Sequence, residues 1–387
     1  MKKQKICIIG GGLSGLITAA TLSKLNVEID LITENSKQVT NSCRTTAISQ
    51  ENYNFLKELK VLKKNFWPCL KMKLYTDEEN KFSKIFELNE VNTKSKKIFY
   101  IVENKKLISD LSNIIKISKL IQFIIKKKIL KIINVNLLKG VKFEKKKSSQ
   151  YNLIVVCTGS NSQLTKSIIN EETYKRPYNE IAITMILKHE PLNNNVARQI
   201  FLDEAILAFL PVSDRKTSVV FSVKKNFFKE KISNTLIKRK IKFYAKIFFK
   251  KIEFISNFEI KELNLLIRKK YHSERVLLFG DALHLVHPLA GQGVNMMLRD
   301  LKVLKEILNS KINLGLDIGA DDVLSEFENM TKTKNFTYSL GIDFIRKSFK
   351  FKRKPLKIFR NKIMVELNKN DILKNVFYNI ADRGLKF

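Results

Sequence analysis

The chain has 387 residues, 44% of them hydrophobic and 26 of them Phe, a composition typical of a globular protein with a large core. Its 72 Lys and Arg residues outnumber 37 Asp and Glu residues, which gives a net charge of +35 at pH 7. Lysines interrupt every apolar run before eighteen residues, so no membrane-spanning helix is predicted, and four cysteines without C-x-x-C spacing predict a reducing compartment.

A nucleotide-binding turn is predicted near the N-terminus. The apolar residues 5–9 are typical of a strand, and the pattern G-x-G-x-x-G follows directly. Its glycines permit a tight turn, a close approach of the backbone to a pyrophosphate, and close packing of the next helix, which is predicted over 16–25. A second apolar strand over 28–33 ends in Glu34, where a carboxylate binds the ribose of an adenosine. The residues of the turn are Gly10, Gly12, Leu13, Ser14 and Gly15.

Polar segments and a sheet are predicted in the middle of the chain. Residues 44–48 (Arg-Thr-Thr-Ala-Ile) predict a polar turn that opens a helix, with Arg44 placed to meet a phosphate. A helix is predicted over 101–111, and a buried strand over 151–157. Period-two alternation then predicts antiparallel strands, which suit a lobe that covers a substrate pocket. These strands include 180–187, 206–210 and 218–223.

The most specific pattern lies at residues 280–295. An apolar run over 276–279 predicts a buried strand that ends in Gly280 and Asp281. A carboxylate here suits the ribityl chain of a flavin, and the later glycines let the backbone approach the redox ring. The helix that begins after them presents N–H groups and a positive dipole to the ring edge that becomes anionic on reduction. The residues predicted to frame the ring are Pro288, Gly291, Gln292, Gly293, Val294 and Asn295.

No catalytic acid or base is predicted with certainty from the sequence. His284 and His287 are weak candidates, because a histidine beside a turn that contains proline is more often a packing and hydrogen-bonding residue. Neither has a nearby acidic or thiol co-ligand suited to a metal, so no metal site is predicted.

With these pieces in order, the chain resembles the FAD-dependent aromatic hydroxylases of the para-hydroxybenzoate hydroxylase type. Within that family it resembles the group that hydroxylates the polyprenylated ring in ubiquinone biosynthesis. The matching pieces are 10–15, 44–48, 100–104 with Leu107, 210–214, and 280–295 continuing to 298–300. The resemblance implies FAD as cofactor, NAD(P)H as reductant and O₂ as oxidant, with oxygen transferred to a phenol or quinol ring through a flavin C4a-hydroperoxide. It also implies that Asn104 lies along the cofactor.

The expected fold is α/β, with a Rossmann-like FAD-binding lobe, an inserted antiparallel β-sheet substrate lobe and a helical C-terminus. Because the two flavin motifs lie 270 residues apart (10 to 280) and must meet around one cofactor, the FAD-binding lobe is expected to consist of separate segments. The predicted boundaries are 1–70, 100–177 and 269–305 for the FAD-binding lobe, 71–99 and 178–268 for the substrate lobe, and 306–387 for the helical region.

One departure from the family pattern leaves alternatives open. Thr158 and Gly159 stand where the family usually carries Asp-Gly, which serves both FAD and NAD(P)H. Threonine keeps a hydroxyl but has no charge, so FAD binding should survive and the reaction with the pyridine nucleotide is affected. One hypothesis is an active monooxygenase, favoured by the intact segment 280–295. The alternative is a hydroxylation-deficient flavoprotein that serves as a subunit or scaffold among other quinone-synthesis proteins, and an oxidase or reductase is a third.

A basic and aromatic stretch over 344–365 has nine Lys and Arg residues and no acid. A solvated helical surface is the favoured interpretation. The alternative is contact with an anionic membrane surface, to which a prenylated substrate is confined. No nucleic-acid-binding motif is recognised, so no nucleic-acid partner is expected. The predicted location is cytoplasmic, with peripheral contact at the inner membrane face under the membrane alternative.

Overall fold

The computed structural model describes residues 3–34, 42–78, 81–89, 97–125, 129–143, 149–160, 162–168, 173–226, 234–351 and 353–384. Elements are numbered in chain order. Within these ranges the chain forms two large sheets, two small sheets and a series of C-terminal helices.

The first large sheet is parallel except at one edge. Its strands, in spatial order, are β19 (His272–Ser273), β20 (Val276–Leu278), β12 (Leu153–Val156), β1 (Gln4–Ile9), β2 (Val27–Thr33) and β8 (Ile121–Ile125). Only β19 and β20 pair in antiparallel fashion. The central strands are nearly continuous runs of Ile, Val and Leu that are buried on both faces, as parallel sheets require. Helix α1 (Leu13–Leu22) packs against α3 (Asn104–Ile117) and α6 (Gln292–Asn313).

The second large sheet is mostly antiparallel. Its strands, in spatial order, are β21 (His284–Leu285), β18 (Glu259–Arg268), β13 (Thr173–Lys188), β16 (Lys216–Lys224), β15 (Ala205–Ser213), β14 (Val196–Leu202), β5 (Lys71–Glu78) and β6 (Lys81–Leu88), with β17 (Glu253–Phe254) beside β13. Alternate residues of β13, such as Ile183 and Met185, pack under helix α5 (Asn234–Ala245). The opposite face of the sheet, here called the inner face, contacts the first lobe, for example through the Thr45 hydroxyl, which donates to the Ser218 hydroxyl at 2.8 Å.

Two three-stranded sheets and the remaining helices complete the fold. One small sheet contains β3 (Thr45–Ser49), β7 (Phe99–Glu103) and β4 (Phe66–Cys69), and the other contains β9 (Ile129–Val135), β10 (Leu138–Phe143) and β11 (Gln150–Tyr151). The helices not yet named are α2 (Gln50–Glu58), α4 (Gln163–Ile168), α7 (Asp321–Ser348), α8 (Lys354–Lys369) and α9 (Asp371–Arg383).

The predicted fold class is confirmed, and three local predictions are corrected. Residues 45–48 form strand β3 instead of a polar turn, because Thr and Ile pair well across a sheet with β7. The helix expected there begins one turn later, where Ser49 caps it by accepting from the Asn52 N–H. Residues 101–103 likewise belong to β7, and α3 begins at Asn104. Helix α1 begins at Leu13, three residues earlier than predicted. No helix in the described ranges is long and apolar enough to cross a membrane.

Candidate active site

Four of the predicted cofactor-binding segments lie at one edge of the parallel sheet. Residues 10–15 follow β1, Glu34 follows β2, Thr158 and Gly159 follow β12, and residues 280–281 follow β20. Ligands of open α/β sheets bind at the carboxyl ends of the strands. Segments that are far apart in the sequence therefore meet where a dinucleotide would be expected to bind.

The glycine turn after β1 has the geometry that a diphosphate requires. Gly10 has φ +125°, and a Cβ at this position would lie 2.7 Å from the Cys157 carbonyl oxygen. A Cβ at Gly15 would lie 1.8 Å from the Gly10 carbonyl oxygen, so only glycine lets α1 approach the turn this closely. At Gly12 a Cβ would meet no atom within 4 Å, and no described side chain caps the first N–H groups of α1. Open backbone at an uncapped helix N-terminus fits a diphosphate.

Three glycines, Gly280, Gly291 and Gly293, shape the segment that leads from β20 into α6. Gly280 has φ +63°, and its missing Cβ would lie 2.7 Å from Ser14 Oγ, so this turn packs directly on the start of α1. Gly291 has φ +65° and packs against Ala47, whose Cβ would be 2.8 Å from an added Cβ. Gly293 faces open space, and no described side chain caps α6. The start of α6 can therefore present bare N–H groups to a bound ring.

Asn295 uses its side chain inside the protein. It is buried, its Nδ2 donates to the Ala47 carbonyl oxygen at 2.9 Å, and its Oδ1 accepts from the Ser49 N–H at 2.9 Å and from Asn52 Nδ2 at 3.0 Å. The sequence placed this residue beside the cofactor because of its position in the motif. The contacts assign its side chain a different task, which is to hold β3 against α6.

Three more of the predicted cofactor-binding residues, Gln292, Val294 and Asn104, have side chains that contact other parts of the protein. The buried Gln292 accepts from the Tyr338 hydroxyl at 2.7 Å, and Val294 packs against the main core. Asn104 Oδ1 accepts from the Thr46 hydroxyl at 2.6 Å. At the start of α6, backbone N–H groups are thus better placed than side chains to bind a cofactor.

The charged candidates are more accessible. Glu34 is exposed, and Asp281 has a side chain that is 56% exposed with its Oδ2 3.4 Å from Lys261 Nζ. Arg44 Nε lies 2.5 Å from Glu259 Oε1 on β18, in a pair that is open to solvent. Such a pair contributes little stability, so the guanidinium remains available to a phosphate.

The segment after β12 is open. Thr158 is exposed, and its hydroxyl lies 3.1 Å from that of Thr165. Gly159 has φ +84°, and a Cβ there would meet no atom within 4 Å. Half-buried Pro288 precedes Gly291 and Gly293. All of the predicted cofactor-binding residues therefore lie within the described ranges, either at the sheet edge or around the β3–α6 contact.

A cleft opens between the two lobes, lined by residues that the sequence analysis did not assign to a substrate pocket. Its volume is about 640 Å³. It is lined by Ser42, Cys43, Glu103 and Lys105 on one side and by Ile186, Lys216 and residues 255–259 on the other. Ile186 belongs to the inner face of the second sheet, where Leu210 and Ile206 are accompanied by smaller residues: Ala182, Thr184, Ala208, Ser218, Val220 and Ser222. Because the walls come from distant segments, no local pattern in the sequence could have revealed the cleft.

Both histidine candidates are buried in pairs with carboxylates. His284 Nε2 lies 2.8 Å from Asp300 Oδ2, and His287 Nε2 lies 3.3 Å from Glu180 Oε2. Burial lowers the pKa of His287, although Glu180 partly opposes this effect. Burial alone would raise the pKa of Glu180, but hydrogen bonds from His287 and Lys350 lower it to about 2. These contacts support structural roles for both histidines.

The nucleotide crevice, the uncapped helix starts and the attached antiparallel sheet define a two-lobed flavoprotein. The structure is similar to that of HpxO from Klebsiella pneumoniae complexed with FAD and uric acid, with a TM-score of 0.77, 15% identity, and coverage of 98% of this chain and 97% of that chain. Two family models each match more than half of the chain: squalene epoxidase over residues 150–369 and glucose inhibited division protein A over residues 5–257. The chain therefore belongs to the group of proteins that these two family models describe.

Relatives in sequence are ubiquinone hydroxylases. The chain is 27% identical over 250 residues to ubiquinone biosynthesis monooxygenase COQ6 of Danio rerio, in a match that covers 55% of this chain and 51% of that protein. It thus spans about half the length of that relative. It is 23% identical over 385 residues to 3-demethoxyubiquinol 3-hydroxylase of Escherichia coli (strain K12), in a match that covers 96% of each. The resemblance inferred from the motifs is confirmed.

Proposed function

We propose that this protein is an FAD-dependent monooxygenase that hydroxylates the ring of a polyprenylated phenol or quinol in ubiquinone biosynthesis, with NAD(P)H as reductant and O₂ as oxidant. The observation that carries the proposal is the meeting of the glycine turns and uncapped starts of α1 and α6 beside the inner face of the second sheet. The printed functions of the sequence relatives support the substrate class.

FAD, when bound, supplies the activation of O₂ and the transfer of oxygen to the ring. The protein residues hold it. The turn at residues 10–15 would donate backbone N–H bonds to the diphosphate, Glu34 would accept from the ribose hydroxyls, and Asp281 would accept from the ribityl hydroxyls. Arg44 would contact a phosphate, in exchange for its solvent-exposed pair with Glu259.

The start of α6 would stabilise negative charge on the reduced ring. No described side chain caps its first N–H groups, and the tight packing of Gly291 on Ala47 fixes their direction. Preorganised N–H donors aimed at developing charge cost no rearrangement during a reaction. The residues at positions 292–295 would therefore act through their backbone.

The inner face of the second sheet would hold the phenolic ring. Its side chains beside the segment around Val286, which packs against this part of the sheet, are mostly small. Apolar neighbours such as Leu210 and Leu289 would exclude water from the region around a bound ring. The cleft of about 640 Å³ reaches the inner face at Ile186 and would admit a ligand.

The test is product analysis with purified protein. The protein with added FAD, NADH or NADPH and a prenylated phenol should give a product heavier by one oxygen atom, and oxidation of the pyridine nucleotide should be slow without the phenol. Rapid peroxide formation without substrate would favour an oxidase. Absence of any flavin reduction would favour the scaffold alternative, for which Thr158 is the supporting observation.

We also propose that the surface of α7 and α8 contacts an anionic membrane. Large exposed side chains recur at helical spacing on both helices: Phe336, Leu340 and Phe344, and Leu356, Phe359 and Ile363. Exposed basic residues, among them Arg353, Lys354 and Lys362, accompany them. A surface that combines apolar and basic side chains suits anionic headgroups, whereas a second copy of this highly basic chain would repel it.

Fewer basic residues than the sequence suggested are available for this proposed membrane contact. Residues 344–365 contain nine Lys and Arg residues, but Arg346 and Arg360 are buried, Lys350 contacts Glu180, and Lys352 lies outside the described residues. The revised variant changes Arg353, Lys354 and Lys362 to Gln.

Co-sedimentation with liposomes that contain anionic lipid tests the membrane proposal. Near-surface basic groups contribute about 1 kcal/mol each when they engage, so the triple variant should sediment far less than wild type, and salt should weaken wild-type binding. A matched control changes the exposed Arg239, Lys242 and Lys246 beside and within α5 to Gln and should sediment like wild type. Equal sedimentation of the triple variant and wild type would show that the surface is simply solvated.

A further inference from the structure

A cluster of buried charges lies where β13, the segment 284–288 and the end of α7 meet. Its members are Glu180, His287, Asp343, Arg346 and Lys350. Glu180 is 2% exposed, Asp343 3% and Arg346 7%. Burying charges is costly unless each is paired, so a cluster in the interior between two lobes requires a reason.

Glu180 is the centre of this cluster. Arg346 Nη1 donates to its Oε1 at 2.6 Å, Lys350 Nζ contacts the same oxygen, and His287 Nε2 lies 3.3 Å from Oε2. One carboxylate on the substrate sheet thus joins Arg346 of α7, Lys350 just beyond the end of α7, and a histidine of the segment that leads to residues 288–291, here called the flavin loop.

His287 depends on this contact. Its ring is 1% exposed and meets Tyr178 edge-on, with 5.5 Å between the ring centroids. Its Nδ1 has no hydrogen-bond partner among the described residues. The hydrogen bond between Nε2 and Glu180 therefore orients the imidazole ring. The next residue is Pro288, and Gly291 at the start of α6 follows three residues later.

We propose that Glu180 is a positioning residue, which through His287 sets the flavin loop at residues 288–291 against the substrate sheet. The inference deepens the proposed function and rests on it. With the carboxylate gone, Arg346 would keep only its longer contact with Asp343 at 3.4 Å, Lys350 would lose its ion pair, and His287 would lose its anchor. The start of α6 would then no longer be held in one place relative to the inner face.

The experiment uses the full chain with a Glu180→Gln substitution and measures FAD affinity by titration and the visible absorption spectrum of the bound flavin. A matched control is Glu328→Gln. Glu328 is a well-buried carboxylate of α7 that accepts from the Tyr271 N–H at 2.9 Å and pairs with Lys332 at 2.7 Å, and it lies outside the flavin loop. Both variants should unfold at a lower temperature than wild type.

Only Glu180→Gln should raise the dissociation constant of FAD, by about tenfold or more, and shift the flavin spectrum. A His287→Gln variant keeps the contact between Glu180 and Arg346 and should fold if Glu180→Gln does not, with the same effect on FAD. The inference is overturned if Glu180→Gln, or His287→Gln where the former does not fold, binds FAD within about twofold of wild type, or if Glu328→Gln has an equal effect. A wild-type protein that takes up no FAD would overturn the proposed function as well.

Discussion

Substitution of Asn295 by Ala tests whether this residue serves the fold or the cofactor. In the wild type its amide satisfies the Ser49 N–H and the Ala47 carbonyl, both on β3, and it also meets Asn52 Nδ2. Alanine would leave two buried backbone groups without these bonds. Each such group costs about 1–3 kcal/mol, so Asn295→Ala should lower the unfolding free energy by about 2–6 kcal/mol.

The assay is urea unfolding of the protein without added FAD, monitored by circular dichroism. Asn309→Ala is the matched control, because Asn309 is an exposed asparagine of the same helix and its replacement should change the unfolding free energy by less than about 0.5 kcal/mol. If Asn295→Ala unfolds like wild type but binds FAD poorly, the residue contacts the cofactor and the structural role argued here is wrong.

Four further outcomes are expected. Gly291→Ala should lower the unfolding midpoint and weaken FAD uptake, because φ +65° costs about 1–2 kcal/mol in any other residue and the new Cβ would lie 2.8 Å from that of Ala47; an unchanged midpoint would contradict the observed turn. Because the pKa of Glu180 is lowered to about 2, its stabilising contribution is present above the ordinary glutamate pKa and is lost as the pH falls towards the lowered value, so the difference in urea midpoint between wild type and Glu180→Gln should narrow from about pH 5 to about pH 2. Thr158→Asp should alter the rate of NAD(P)H oxidation measured at 340 nm. An unaltered rate would show that threonine in place of the usual aspartate does not affect the reaction with the pyridine nucleotide. Asp281→Ala should raise the dissociation constant of FAD by about tenfold in a fluorescence titration, since a hydrogen bond to a charged group contributes about 1.5–3 kcal/mol.

Elements with a strong local pattern were predictable from the sequence. The glycine spacing at residues 10–15 follows a buried strand and opens a helix, so three independent signals agree on one turn. The same holds for the strand and glycine turn that lead into α6. Residues 44–48 were misjudged because Arg and Thr suggest a turn, whereas pairing with β7 makes them a strand. Sequence proximity to a cofactor motif also did not reveal that the Asn295 amide bonds to β3.

Contacts between lobes could not be predicted, because they join residues that are far apart in the chain. Glu180 and Arg346 are separated by 166 positions, and each alone is an ordinary charged residue of a strand or helix. The basic stretch 344–365 illustrates the consequence. Read as a sequence it suggests a uniformly solvated surface, yet Arg346 is buried against Glu180 while Phe344, two residues earlier, is 69% exposed.

The end of α7 therefore has two faces with different chemistry. One face contributes Arg346 and Lys350 to the charge cluster that reaches the flavin loop, and the other exposes Phe344 beside the basic residues of α8. The two proposals concern the same helix turn, but they make separate demands on it. Substitutions on the exposed face should reduce membrane binding and leave FAD affinity intact, whereas substitution of Glu180 should do the reverse. A variant of Arg353, Lys354 and Lys362 that lost both properties would contradict this separation, because the partners that hold Glu180 are His287, Arg346 and Lys350.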